Sequence, residues 1–152
     1  MNKAIQTLEF NKIKERLSEF CQSSLGKQLV DNLYPAVNIK AVETRLKETK
    51  EAVRLLKAGM IPPLGGLSNI SMLLEKTEKG MILEASELTA INDFLRACRN
   101  LEQFMNKHKE LIPLISEYIL SMKSYKDIEE EISYSVRCRC WKPKKWQSSI
   151  RY

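Results

Sequence analysis

The sequence predicts an all-α fold, an antiparallel helical bundle with an irregular basic C-terminal tail. Three observations predict it. Apolar residues recur at steps of three and four through successive segments between Phe10 and Ile132, the spacing that lines one face of a helix. The chain is poor in the aromatic and β-branched residues that strands favour, aromatics being only 7%. The breaks between periodic segments carry proline, glycine or a capping side chain. At 152 residues and 17.6 kDa the chain has the length of one ordinary domain, which buries roughly 68–70% of its unfolded surface.

Phe10, Ile13, Leu17 and Phe20 share one face of the first helix, and Cys21 extends it. Ser23 or Ser24 caps a second, short helix with Leu25, Leu29 and Leu33 inward, which Tyr34-Pro35 ends. Asn38 caps a third, in which Ile39, Val42, Leu46, Val53 and Leu56 make a broken apolar stripe and Gly59 supplies a left-handed stop. "MIPPLGGLSNI" is a turn: two prolines lack amide protons and two glycines admit positive φ. Ser68 or Asn69 opens a helix through Leu74 to Lys79, stopped by Gly80. The longest helix runs from near Glu84 to about Lys107, on the stripe Leu88, Ile91, Leu95, Cys98, Leu101 and Met105. Pro113 fits the first turn of a helix containing Tyr118, Ile119 and Met122. Ser124 with Asp127 reads as a capping box for the last.

The formal net charge of +6 is local. Arg137, Arg139, Lys142, Lys144, Lys145 and Arg151 follow Ser133 with no acid among them, so the rest of the chain is neutral. Residues 1–132 are therefore expected to form the helical domain and 133–152 the tail. Cations interleaved with Trp141 and Trp146 suit nucleic acid, because the cations neutralise phosphates while indole rings stack on unpaired bases. Arg137, Arg139, Lys142, Lys144, Lys145, Trp141 and Trp146 are the candidate contacts.

Elsewhere local chemistry is sparse. His108 lies between two lysines at a helix end, away from any cysteine or carboxylate pair suited to catalysis. Neither G-x-S-x-G nor H-E-x-x-H occurs, and no Lys-Ser or Lys-Thr follows the glycine pair at phosphate-loop spacing. Cys138-Arg139-Cys140 supplies too few ligands for zinc. No catalytic, cofactor or metal residue is assigned. "MNKAIQTLEF" lacks the apolar core of a secretory signal, and no stretch approaches the ~20 apolar residues of a membrane span, so a cytoplasmic protein without a membrane partner is expected.

Taken as an ordered series, "LEFNKIKERLSEFCQSSLGKQLVDNLYP", "RLKETKEAVRLLKAGMIPPLGGLSNI", "LEKTEKGMILEASELTAINDFLRACRNLEQF" and "LIPLISEYI" resemble the N-terminus of the second bacterial MutS branch, MutS-two. The opening "LEF", the "SSLGK" entry, the "ETKEA" helix and the "PPLGGLSNI" turn carry the resemblance, which covers about Met1 to Ile132. It implies the start of a helical core and lever linking DNA-embracing arms to an ATPase. Full-length members bind ATP and Mg, carry a C-terminal Smr nuclease domain, act as homodimers on mismatched or branched DNA, suppress recombination and rescue collided ribosomes. Their phosphate-binding, magnesium-binding and nuclease residues have no counterpart in this chain, so the resemblance implies scaffold without catalysis, and self-association of a partial core. After Ile132 the family pattern gives way to "SYSVRCRCWKPKKWQSSIRY", expected to be out of frame or truncated. A different reading makes the chain a small stand-alone nucleic-acid-binding protein that uses this tail.

Overall fold

The computed structural model describes residues 9–137, and among them all regular structure is helical. The helices are α1 (Phe10–Glu19), α2 (Ser24–Asp31), α3 (Ile39–Lys57), α4 (Ser71–Glu78), α5 (Ala85–Lys107), α6 (Pro113–Glu117) and α7 (Lys126–Arg137), with a 3-10 turn at Tyr118–Ser121.

Local chemistry sets most helix ends. Ser23 Oγ accepts from the Gly26 amide at 3.0 Å and Asn38 Oδ1 from the Lys40 amide at 2.9 Å, each satisfying a first-turn donor. Asn69 Oδ1 accepts from the Ser71 amide at 2.9 Å at the start of α4. The Glu84 amide donates to Glu87 Oε2 at 3.0 Å, one arm of a capping box for α5. Gly59 and Gly80, with φ of 75° and 70°, follow the ends of α3 and α4.

Two ends differ from expectation. The helix begun by Pro113 tightens into a 3-10 turn at Tyr118 and stops before Met122. Helix α7 begins at Lys126, one residue later than a Ser124 cap would set, with Asp127 and Glu129 in its first turn. It also continues past Ile132 to Arg137, so the first five residues of the segment expected as irregular tail are helical.

The helices pack in antiparallel pairs. Between α5 and α7, Arg99 meets Glu129 and Asn92 meets Ser133, so one chain descends as the other rises. Between α3 and α6, Glu51 meets Leu114 while Glu48 reaches forward to Tyr118. Helix α1 turns directly into α2, and Lys14 Nζ returns to the Asp31 carbonyl. The main apolar cluster joins Ile70, Ile91 and Ile132, with Leu73, Leu83, Leu88, Phe94 and Leu95 against it. It draws on the turn, α4, α5 and α7, and takes Leu88, Ile91 and Leu95 from the long stripe read from the sequence.

The "PPLGG" turn earns its place by close approach. Gly66 holds φ at 85°, and a Cβ there would lie 3.2 Å from Ala97 Cβ and 3.4 Å from the Asp93 carbonyl. The glycine lets the turn lie against α5, which is packing and not a phosphate cradle.

The first three helices bury the faces their periodicity marks only in part, Phe10, Cys21, Leu25 and Leu33 being half-buried. Ile13, Leu17, Phe20 and Leu29 are exposed, and α2 buries Val30 instead. In α3 the buried residues are Glu51 and Leu55, on the side opposite the apolar stripe. For Ile13, Leu17, Phe20, Leu29 and the α3 stripe the expected burial therefore fails against the described residues: the 3.6-residue period identifies an apolar face without saying which partner covers it.

Candidate functional site

The tail candidates divide at the end of α7. Arg137 closes that helix, while Arg139, Trp141, Lys142, Lys144, Lys145 and Trp146 lie outside the described residues. The structure therefore brings none of them together into a described surface.

What the described residues do assemble is a set of buried polar joints between helices. At the α5–α7 joint, Glu129 is buried and accepts a two-pronged hydrogen bond from Arg99, Nε to Oε2 at 3.0 Å and Nη2 to Oε1 at 2.9 Å. A planar guanidinium suits a carboxylate in this fork geometry. Arg96 Nε stands 3.6 Å from the same Oε1. Asn92, also buried, lies one turn back. Its amide satisfies both ends when its nitrogen donates to the Glu129 carbonyl at 3.0 Å and its oxygen accepts from Ser133 Oγ at 3.1 Å and Arg96 Nη2 at 3.2 Å. Hydrogen bonding from Arg99 holds the Glu129 carboxyl below the usual carboxylate range; partial desolvation opposes this, and the Arg99 and Arg96 charges add to it. Arg99 is pushed up in return, first by the same hydrogen bond.

At the α3–α6 joint, Glu51 is 5% exposed and accepts from two backbone amides, Leu114 at 3.2 Å and Ile115 at 3.0 Å. These are orphan donors of the α6 first turn, where Pro113 has none to offer, so a side chain 63 residues away serves as the cap. Beside it, Tyr118 donates to Glu48 Oε1 at 2.6 Å, which pushes the phenol up. A third joint ties the turn to α2: the Asn69 amide donates to Ser24 Oγ at 3.0 Å and its side chain to Gln28 Oε1 at 3.1 Å. Lys76 pairs with Glu87 across α4 and α5, and Lys76 is the first cause holding Glu87 low.

These groups are structural in chemistry: each buried charge or amide is used up by a partner, and among the described residues no buried side-chain nitrogen or oxygen lacks one. No group of three or more His, Cys, Asp or Glu side chains converges there in a metal-binding arrangement. His108 caps the end of α5, its ring 4.7 Å from that of Phe104, and its carbonyl accepts from Leu111 and Ile112. Cys98 is half-buried on α5, and burial pushes its thiol up, away from the reactive thiolate. No described helix is long and apolar enough to cross a membrane.

Sequence reading missed Glu51, Asn92, Arg99 and Glu129. For Glu129 a signal exists, since it lies three residues before Ile132 on the same helical face and so shares the buried side. For Glu51 none does, because its partners are backbone amides of a distant turn.

No protein-family model matches the chain. Individual relatives do. It is 37% identical over 137 residues to Endonuclease MutS2 of Acetivibrio thermocellus, covering 88% of this chain and 17% of that protein. To Endonuclease MutS2 of Clostridium botulinum (strain Alaska E43) it is 33% identical over 139 residues, 90% of this chain and 18% of the relative. The protein of the same name from Listeria innocua gives 34% over 140 residues, again 90% and 18%. The chain thus spans less than one-fifth of the length of the curated relatives it matches, and along about nine-tenths of its own length it is homologous to a region of the MutS2 proteins.

Proposed function

We propose that the chain is a helical scaffold segment of a MutS2-like DNA-binding ATPase, the start of a core and lever that couples the ATPase to a DNA clamp. Homology to MutS2 along about nine-tenths of the chain carries this reading. The joints around Glu51 and Glu129 support it, since a lever transmits motion only if its helices move together, and buried hydrogen-bonded carboxylates fix helix against helix. In the whole protein, ATP and Mg would be bound by other segments, and mismatched or branched DNA or a collided ribosome would be engaged by a homodimer. The chain itself would be no enzyme, and its place would be the cytoplasm.

The test is a graft. Replacing the matching segment of the Acetivibrio thermocellus protein with residues 9–137 of this chain is expected to leave ATP hydrolysis and its response to branched DNA within about threefold of the parent, less than 1 kcal/mol in coupling. A folded chimera that hydrolyses ATP but no longer responds to DNA would sink the scaffold reading. So would ATP turnover by this chain alone.

A second reading, a small nucleic-acid-binding protein, is favoured by one observation: the whole net charge and both tryptophans fall after Ser133. It expects the full chain to bind single-stranded DNA with affinity falling steeply in salt, by about 0.7 log units per log unit of salt for each phosphate contact. A version ending at Arg137 keeps α7 whole and should lose that binding. Equal binding by the two forms, or none by either, rules the tail out.

A further inference from the structure

Helix α6 is fastened by polar ties and not by burial. It is five residues long, and none of them is buried. A single helical turn is unfavourable on its own, because it fixes several residues for each hydrogen bond formed. Ile112, at its N-terminal boundary, makes no side-chain cap, and Pro113 has no amide proton, so the Leu114 and Ile115 amides depend on Glu51 of α3. Glu48, one turn back along α3, accepts from Tyr118 at the far end of α6. Both ties come from the same helix.

The residues that bracket this stretch are held differently. Ile112 is 1% exposed and Ile119 is 5% exposed. The 3-10 turn that carries Ile119 packs against α5, whereas α6 itself packs against α3. Between two apolar anchors there is thus a stretch that can turn outwards without uncovering a buried side chain, Glu117 and Tyr118 being exposed already.

We propose that residues 113–118 are a latch on α3, which opens as a unit between Ile112 and Ile119 while the α5–α7 core stays folded. In the closed form the two carboxylates of α3 hold the single turn of α6 in helical shape. In the open form the Leu114 and Ile115 amides and the Glu51 carboxylate pass to water, α6 unwinds, and α3 loses the partners of its buried carboxylate. The α5–α7 joint keeps its bonds, because Asn92, Arg99, Glu129 and Ser133 take no part in the latch. The seating of α3 and the helical order of residues 113–118 are therefore one equilibrium. The scaffold reading stands apart from it: the graft can succeed with a latch that never opens by itself, and can fail with one that does.

Native-state hydrogen exchange of the full chain, followed amide by amide by NMR at low urea concentrations, tests it. The Leu114, Ile115 and Ser116 amides are expected to be less protected than those of Ile91 and Ile132 in the core, through an opening that urea hardly promotes because it uncovers little surface. Glu51→Gln keeps the side-chain volume but leaves one acceptor oxygen for two amides, and should lower protection at the three latch amides about tenfold or more. Tyr118→Phe, at a side chain 60% exposed, cuts the second tie without endangering the fold, and should lower it about threefold. Glu129→Ala should do the reverse, lowering protection at Ile91 and Ile132 about tenfold or more while leaving the latch amides as they were, since its bonds are still made when the latch is open. The proposal is overturned if Glu129→Ala lowers protection at the latch amides as much as in the core, which would mean that they exchange only by global unfolding. It is equally overturned if Glu51→Gln or Tyr118→Phe leaves the latch amides unchanged.

Discussion

Ile112→Ala lowers the free energy of unfolding by about 2–5 kcal/mol, the range for removing a buried aliphatic side chain whose surroundings collapse only partly. Ile112 is 1% exposed, the largest side chain buried so completely among the described residues. It occupies the short connection between α5 and α6, immediately before the proline that starts α6. Its carbonyl accepts from the Ser116 amide and its own amide donates to the His108 carbonyl. The position is therefore held by backbone bonds and cannot readily move to fill a void. Leu120→Ala is the control: the same kind of truncation, at a side chain 88% exposed, is expected to change stability by less than about 0.5 kcal/mol. Urea unfolding followed by circular dichroism measures both. Equal effects would mean that Ile112 is not buried in solution.

Glu129→Ala is expected to cost about 2–3 kcal/mol and to change how stability depends on pH. Two charge-assisted hydrogen bonds are lost, and Arg99 is left half-buried without its carboxylate. The cost stops short of that for a fully buried pair because Arg99 keeps about a third of its side chain in water. Arg99→Ala should destabilise in the same direction, and the double variant little more than either single change, the mark of coupled partners. Glu129 has its folded pKa below its unfolded one. Its contribution is therefore fully present above the unfolded value of about 4.3 and is lost as pH falls through the folded value. The native chain should lose stability on acidification below about pH 4.3 more steeply than the Glu129→Ala chain. Some slope remains in the variant, because Glu87 is held low by Lys76 in the same way. Parallel profiles for the two chains would show that the Arg99 contact carries no net free energy.

Much of the fold was legible because its signals are local. The caps at Ser23 and Asn38, the stop at Gly59 and the long helix from Glu84 to Lys107 rest on chemistry within a few residues, and the structure places them within a residue or two of the reading. The 3-10 turn after Glu117 was not legible, since nothing in "YILS" forbids another α-helical turn. The candidate site was legible as composition alone. A basic, tryptophan-bearing segment can be counted from the sequence, but a binding surface needs an arrangement, and all of it but Arg137 lies outside the described residues.

The sequence by itself determined the class of the fold, the order of its helices and most of their ends, because helix periodicity and capping depend on neighbours along the chain. Only the tertiary structure decided which face of each helix is covered. Helix α3 shows the difference. Its apolar stripe is plain in the sequence, yet the residue that joins it to the rest of the fold is Glu51, whose carboxylate meets the bare amides of α6. Periodicity reports how much apolar surface a helix carries on one side. Burial depends also on which unsatisfied groups arrive from elsewhere in the chain, and a carboxylate bonded to two orphan amides can hold an inward position that apolar pattern alone would give to leucine.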